Sequence, residues 1–331
     1  MHMADALLSP AVSLAMGAIS VTAIGVSVAK VKKDEFSESK IPIMGVAGAL
    51  VFAGQMINFT IPATGSSGHI GGGILLAGLL GGVPAFLSIA SVLIIQCLFF
   101  ADGGLLALGC NIFNLGVIPC LFVYPLIFKP LLRSGIGCNR LSAASVAAVT
   151  IGLELGAFCV VLQTLLSGIT ELPFGTFTVF MLPIHLVIGL VEGSVTAAIL
   201  CFVHKTRPEI IGCSLSGENG VLTKKVLVVF IALTVVIGGV LSLFASANPD
   251  GLEWAIDRTT ENVLGAATEL KAKGVIFDAA AGVQESTAFL PGYADTSVSG
   301  IVGAAITCVT AGATGLVISK MKKNKKTGAN A

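Results

Sequence analysis

Residues 84–101 read PAFLSIASVLIIQCLFFA, without a single charged side chain. A stretch of this length is typical of a helix that crosses a lipid bilayer, because about 20 apolar residues cover the hydrocarbon core. The rest of the chain has the same character, with 55% hydrophobic and 11% charged residues. Soluble domains carry about 25% charge. We therefore expect an integral membrane protein built from apolar helices.

Apolar runs of this kind recur along the whole sequence. They predict nine spans, at 9–30, 41–60, 70–82, 84–101, 109–131, 141–167, 177–203, 225–245 and 297–319. The run 70–82 is short for a straight crossing helix and is rich in glycine, so the pattern defines its ends poorly. Because backbone polar groups must be satisfied internally in lipid, the predicted fold class is an all-α, polytopic membrane protein.

Basic residues are distributed unevenly over the segments between the spans. If the N-terminus lies outside and each span crosses once, 16 of the 19 Lys and Arg residues fall on the inner side. The other three are Arg258, Lys271 and Lys273, in an outer loop over 246–296 that also holds eight acidic residues. Inner loops carry the excess of basic residues in membrane proteins. We therefore expect the N-terminus outside and the C-terminus in the cytoplasm.

The first two residues, Met1 and His2, offer three nitrogen donors to a metal ion. The free α-amine, the deprotonated amide nitrogen of His2 and the His2 imidazole can lie in one plane. A fourth nitrogen would complete a square-planar site of the kind that suits Ni²⁺ or Cu²⁺. The sequence lacks the basic segment of a cleavable signal peptide, so we expect this terminus to be retained. Taken alone, the dipeptide is also compatible with a frayed terminus.

Three other histidines are candidates for the fourth nitrogen. His69 lies between two spans on the outer side, whereas His204 lies on the inner side. His185 lies within the span 177–203, toward its outer end. His69 is the better candidate, because the glycines around it allow the backbone to approach closely.

Several blocks of sequence together resemble the CbiM/NikM family, the substrate-binding S components of energy-coupling factor importers for cobalt and nickel. The blocks are MHMADALL at 1–8, PATGSSGH at 62–69 with the glycines at 71–73, DGGLLALGCNIFN at 102–114, and residues 185–193. The resemblance implies that the metal ligands are the Met1 amine, the amide and imidazole nitrogens of His2, and the His69 imidazole. Met3 and Ala6 differ from the Ile and Gly of many relatives, which leaves the choice between cobalt and nickel open.

The C-terminal part carries the sequence NPDGLE at 248–253 and resembles the PDGLE domain, which is similar to the small CbiN/NikN subunit. The chain then looks like a fusion of these two components, divided into four segments. These are a seven-span CbiM/NikM-like bundle over 1–212, a cytoplasmic linker over 213–224, a two-span PDGLE unit over 225–320, and a basic tail over 321–331. The resemblance also implies two kinds of separate partner chain, a transmembrane T component similar to CbiQ/NikQ and ATP-binding subunits similar to CbiO/NikO. It places the chain in a bacterial or archaeal cytoplasmic membrane.

A few polar residues lie within or beside the spans, where ionisable groups are costly and often functional. Glu154 and Glu192 lie near the middle of their spans, and His185 shares a helix face with Glu192. A proton or metal relay is one interpretation. Helix–helix hydrogen bonding or contact with a partner subunit is favoured, because neither Glu154 nor Glu192 is expected near the outer site. Asp102 could guide cations or cap the next segment, and Asn111 could hydrogen-bond the ligand loop.

The sequence contains no P-loop motif, so we expect ATP hydrolysis on partner chains and no enzymatic activity here. We expect no prosthetic cofactor and no nucleic-acid partner, with Ni²⁺ or Co²⁺ as the transported ligand. The main hypothesis is an S component that captures one of these ions for an ATP-driven importer. The alternative is a proton-coupled secondary transporter that uses Glu154, Glu192 and His185 and moves metal without partner subunits.

Overall fold

The computed structural model describes residues 1–33, 41–216, 224–265, 270 and 274–328. Most of the predicted linker, at 217–223, and the last residues of the predicted tail, at 329–331, lie outside the described residues. Lys40, Lys271 and Lys273, which enter the charge count, also lie outside them.

Helices account for most of the described chain. The N-terminal part contains α1 (Pro10–Lys33), α2 (Ile41–Gln55), α3 (Gly73–Leu80), α4 (Gly82–Phe100), α5 (Leu108–Leu131), α6 (Cys138–Ser167), α7 (Phe174–Thr206) and α8 (Pro208–Ser216). The C-terminal part contains α9 (Lys224–Gly239), α10 (Gly251–Leu264), α11 (Val275–Thr287) and α12 (Thr296–Gly328). The middle of α5, Phe113–Phe128, is wound as a π-helix that includes Pro119 and Pro125.

Within the described residues, seven of these helices are long and apolar enough to cross a membrane, namely α1, α4, α5, α6, α7, α9 with its short extension, and α12. Large apolar side chains stay exposed on them, such as Leu14 on α1, Leu166 on α6 and Val179 on α7. Such side chains are expected where a helix faces lipid. The chain is a multi-pass membrane protein, and the predicted all-α fold class is confirmed.

The predicted spans 41–60 and 70–82 form shorter helices. α2 ends at residue 55, and α3 has only eight residues. Eight residues cover about 12 Å at 1.5 Å per residue, so α3 cannot cross a bilayer alone. Gly72 and Gly81 flank α3 with φ angles of 78° and 85°. A helix cannot continue through such left-handed conformations, which explains why the apolar run is interrupted.

A two-stranded antiparallel hairpin, which the sequence does not predict, follows α2. Its strands are β1 (Phe59–Ile61) and β2 (Ser66–Gly68). The connecting turn contains Ala63 and Gly65, both with positive φ. The hairpin matters for function because His69 directly follows β2.

The longest helices of the N-terminal part, α6 and α7, approach each other closely. A Cβ atom on Gly189 would lie 2.9 Å from the Cα atom of Thr150. A Cβ atom on Gly193 would lie 2.7 Å from the Cα atom of Val146. Small residues four positions apart allow this kind of close crossing in membrane proteins.

The C-terminal helices pack against α2 rather than standing apart from the N-terminal part. A Cβ atom on Gly45 would lie 2.7 Å from the carbonyl oxygen of Cys308 in α12. The Phe52 ring of α2 occupies the space beside Gly303 of α12. The predicted outer loop 246–296 is also more structured than expected, because it contains α10 and α11.

Candidate metal centre

The first five residues are folded into the helical bundle. Met1 and Met3 are 5% and 0% exposed. The Met3 N–H donates to Asn111 Oδ1 (2.8 Å), and Asn111 Nδ2 donates back to the Met3 carbonyl (3.2 Å). The Asp5 carboxylate accepts the N–H of Ala107 (2.9 Å). These bonds fix the backbone of the terminal segment, so the frayed-terminus interpretation is wrong. Asn111 contacts this segment and not the loop that carries the histidine.

The Met1 amine lies beside the His69 imidazole, with 3.2 Å between the amine nitrogen and Nε2. His69 Nδ1 lies 3.1 Å from the carbonyl oxygen of Ile70. That contact places a proton on Nδ1 and leaves the lone pair of Nε2 directed at the amine. A carbonyl that fixes the tautomer in this way is a common neighbour of metal-binding histidines. Two of the predicted nitrogen donors are therefore adjacent.

The His2 ring stacks on the His69 ring, with centroids 5.4 Å apart and planes inclined at 15°. His2 Nδ1 lies 3.4 Å from Asp102 Oδ1. The other oxygen of Asp102 accepts a hydrogen bond from the Tyr293 hydroxyl (2.6 Å). The structure thus brings the three predicted ligand residues together, with Asp102 in contact with one of them. Nowhere in the described chain are three or more His, Cys, Asp or Glu side chains grouped so as to hold a metal ion. A centre here would therefore combine imidazoles with backbone nitrogens.

Burial keeps both histidines in the neutral, metal-binding form. Burial, followed by the charge of the Met1 amine and by His2, lowers the pKa of His69 to about 3. Burial also lowers the pKa of His2, although Asp102 opposes the shift. The pKa of Tyr293 is raised well above its usual range by burial and by Asp102, so its hydroxyl keeps the proton that it donates.

Asp250 is a site residue that the sequence argument did not assign. Its Oδ2 atom lies 2.8 Å from the Met1 amine, and its side chain is 17% exposed. Burial alone would raise the pKa of this carboxyl, but the Met1 ammonium and His69 hold the pKa well below its usual range. Asp250 belongs to the PDGLE sequence. That motif identifies the domain, but it does not predict which residues its aspartate contacts.

His185, which the sequence places toward the outer end of its span, lies beside the candidate site. It is buried and lines a small cavity together with Met1, His69 and Asp250. Its Nδ1 atom lies 2.8 Å from the carbonyl oxygen of Met181, and its Nε2 atom has no hydrogen-bond partner among the described residues. The two parts of the site meet because the chain around the end of the hairpin packs against α7 before α3 begins.

Glu192 is also close to the site, so the expectation that it lies away from the outer site is wrong. Its Oε1 atom accepts the N–H of Gly72 (2.8 Å), three residues after His69. The hairpin also rests on α7, since a Cβ atom on Gly68 would lie 2.6 Å from Ile188 Cγ1. Glu192 therefore anchors the backbone that follows the candidate ligand. Glu154 is only partly buried and does not line the cavities that contain Met1 and His2.

A larger cavity of about 560 Å³ adjoins His2. Its wall comes from both the N-terminal and the C-terminal part of the chain and includes five acidic residues, Asp5, Asp102, Asp250, Glu253 and Asp278. Lys and Arg do not contribute to the part of the wall formed by the described residues. A cleft lined by one sign of charge raises the local concentration of ions of the opposite sign, so this cavity attracts cations toward His2.

Comparison with known families identifies both parts of the chain. Residues 2–210 match CbiM, described as the cobalt uptake substrate-specific transmembrane region. The chain belongs to the CbiM family. Residues 224–320 match the PDGLE domain, so the chain is a fusion of a CbiM region and a PDGLE domain, as the resemblance implied.

Relatives of this CbiM–PDGLE fusion are described as metal transport proteins. A protein of Archaeoglobus fulgidus described as a fused nickel transport protein, NikMN, is 31% identical over 92% of this chain and 95% of its own length. A protein of Haloquadratum walsbyi described as a metal transport protein is 34% identical over 66% of this chain and 97% of its own. The cobalt transport protein CbiM of Geobacter sulfurreducens is 28% identical over 60% of this chain and 59% of its own.

The CbiM region also has a counterpart among solved structures. The crystal structure of a truncated transition metal transporter aligns with a TM-score of 0.55 and 29% identity. The alignment covers 62% of this chain and 99% of that one. The family, the relatives and this structure together support a role in metal uptake.

Proposed function

We infer that this chain is the substrate-capturing S component of an ATP-driven, energy-coupling factor importer for Ni²⁺ or Co²⁺. The cation is cargo, bound at the outer end of the CbiM region. Its ligands are the Met1 amine, the amide and imidazole nitrogens of His2, and Nε2 of His69. The observation that carries this proposal is the 3.2 Å approach of His69 Nε2 to the buried Met1 amine. Neutral imidazoles and a fixed His69 tautomer support it.

The chemistry of four planar nitrogens favours Ni²⁺ over Co²⁺ on geometric grounds. The relatives do not decide between the two ions, since one is described as a nickel transport protein and another as a cobalt transport protein. Competition between the two ions for the purified chain decides the preference. We expect Ni²⁺ to displace Co²⁺ at equal concentration.

Transport itself requires energy that this chain is proposed to receive from partners, a transmembrane T component and ATP-binding subunits. In this arrangement the N-terminus faces outward, where the acidic cavity collects cations, and the C-terminus faces the cytoplasm. The alternative of proton-coupled transport by Glu154, Glu192 and His185 is less well supported. The Glu192 carboxylate is already engaged by the Gly72 N–H, which suits an anchoring role.

Reconstitution into proteoliposomes separates the two mechanisms. The chain is incorporated alone or with the coupling and ATP-binding subunits, and uptake of radioactive Ni²⁺ is measured with ATP or with a pH gradient. We expect ATP-dependent uptake by the complete complex, loss of that uptake in His69→Ala, and retention in Glu154→Gln. Uptake by the chain alone that follows the pH gradient and is lost in Glu154→Gln would overturn the proposal.

A further inference from the structure

The two oxygens of the Asp250 carboxylate have different partners. Oδ1 accepts the N–H groups of Leu252 and Glu253 (2.8 Å each), which caps the N-terminus of α10. Oδ2 accepts a hydrogen bond from the Met1 amine (2.8 Å). A carboxylate that caps a helix has a fixed orientation. The position of the second oxygen, and with it the direction of the amine, is therefore set by the fold of the PDGLE domain.

The segment that carries Asp250 is hydrogen-bonded to the β1–β2 hairpin, which directly precedes His69. The Ser67 N–H donates to the carbonyl of Pro249 (2.8 Å), and the Ser67 hydroxyl donates to the carbonyl of Asn248 (2.8 Å). The Trp254 indole N–H donates to the carbonyl of Thr64 (2.9 Å). These hydrogen bonds hold Asp250 and His69 in a fixed relation to each other.

Gly251 allows the PDGLE segment to reach the small cavity beneath the amine. A Cβ atom at this position would lie 2.8 Å from Ile188 Cδ1 and 3.1 Å from His185 Cε1. A residue with a side chain would hold the segment away from α7. Because residue 251 is a glycine, the preceding Asp250 can place its carboxylate beside the amine.

Charge balance explains why a carboxylate suits this position both with and without metal. In the metal-free site the Met1 ammonium carries one positive charge and pairs with the Asp250 carboxylate. In the loaded site a divalent ion bound to one deprotonated amide, one neutral amine and two neutral imidazoles also carries one net positive charge. A buried charge is costly unless it is paired. The single negative charge of Asp250 balances either state.

We propose that Asp250 is a positioning residue of the metal centre, supplied by the PDGLE domain. Its Oδ2 accepts a hydrogen bond from the Met1 amine. This bond orients the amine so that its lone pair and that of His69 Nε2 point toward the same metal position. A metal-bound amine keeps two N–H groups, so this hydrogen bond persists when the ion binds. The proposal rests on the proposed function, and it makes the centre a joint product of both domains.

The test uses the full-length chain with mass spectrometry to verify that Met1 is its first residue. Affinity for Ni²⁺ and the absorption band of the saturated complex are measured for wild type, Asp250→Asn and Trp254→Phe. Asparagine keeps the volume and the capping oxygen but removes the charge that binds the amine. The Trp254→Phe control removes a docking hydrogen bond of the same segment and leaves the amine contact intact.

We expect Asp250→Asn to weaken Ni²⁺ binding about 10–100-fold, the range found for residues that orient a ligand. The absorption band of the saturated complex should keep its position, because the four nitrogen ligands are unchanged. Trp254→Phe should bind Ni²⁺ with nearly wild-type affinity.

Three results would overturn the proposal. Wild-type affinity in Asp250→Asn would show that the carboxylate does not position the amine. An equal loss of Ni²⁺ affinity in Trp254→Phe would show that the effect comes from docking of the PDGLE segment. A shifted absorption band in Asp250→Asn would show that Asp250 is itself a metal ligand. Failure of the proposed function looks different, since wild type itself would then bind Ni²⁺ without dependence on His69.

Discussion

At the scale of single residues, the candidate centre is assembled from groups that are distant in sequence. His69 is 68 positions from Met1, and Asp250 is 249 positions away. A buried polar atom without a hydrogen bond costs about 1–3 kcal/mol, and His2 Nε2 is one such atom among the described residues. The Asn111 amide satisfies the backbone of Met3, and Asp102 faces His2. The nitrogens of the centre are therefore placed before any metal arrives.

Replacing His69 tests the fourth donor. His69→Ala removes the side-chain nitrogen that lies 3.2 Å from the Met1 amine. We expect the loss in Ni²⁺ affinity to exceed the roughly 10–100-fold effect of residues that merely orient ligands. Isothermal titration calorimetry of the purified chain provides the measurement. His204→Ala serves as the control. His204 lies at the C-terminal end of α7, the end predicted to face the cytoplasm, so this variant should bind Ni²⁺ normally. Equal affinities for the two variants would exclude His69 as a ligand.

At the scale of secondary-structure elements, the sequence predicts best what depends on local composition. Apolar length predicts nine spans, and seven of them form helices long enough to cross a membrane in the described part of the chain. The interruption between α3 and α4 depends on Gly81, and a glycine-rich run does not reveal which glycine takes a left-handed conformation. The hairpin β1–β2 is stabilised by contacts with the distant residues 246–254. No local pattern encodes those contacts, so neither the hairpin nor the role of Asp250 could be predicted.

The close contact of α6 and α7 yields a prediction about stability. Gly193→Ala places a Cβ atom 2.7 Å from the Cα atom of Val146, which forces the helices apart. We expect a loss of about 1–3 kcal/mol in the free energy of unfolding, as for other overpacked interiors. Gly175→Ala, near the start of the same helix, is the matched control, since a Cβ atom there has no neighbour within 4 Å. Thermal denaturation in detergent compares the two, and similar melting temperatures would argue against the tight crossing.

At the scale of the whole molecule, the CbiM region and the PDGLE domain share both the candidate centre and the acidic cavity beside it. The sequence places eight acidic residues in the outer loop, and the fold brings three of them, Asp250, Glu253 and Asp278, to the wall of the cavity. Asp278 of α11 lines the cavity, whereas Glu285 of the same helix does not. The charge of the domain as a whole is therefore less important than the position of a few side chains.

Neutralising a single cavity acid should slow metal capture. We expect Asp278→Asn to lower the association rate of Ni²⁺ more strongly at low than at high ionic strength, because salt screens long-range attraction. Glu285→Gln removes the same charge from α11 outside the cavity and should have a smaller effect. Stopped-flow absorbance measures both rates. An association rate without salt dependence, or equal effects of the two variants, would contradict a steering role for the cavity.

The central claim is that the terminal amine of Met1 binds the metal. Its most direct test adds one residue before Met1, which converts the amine into an amide and moves the histidine to position three. Ni²⁺ affinity and the absorption spectrum are compared with those of the native chain. We predict that the native planar-nitrogen spectrum disappears and that affinity falls, even if a different chelate forms. Unchanged affinity together with an unchanged spectrum would contradict the account.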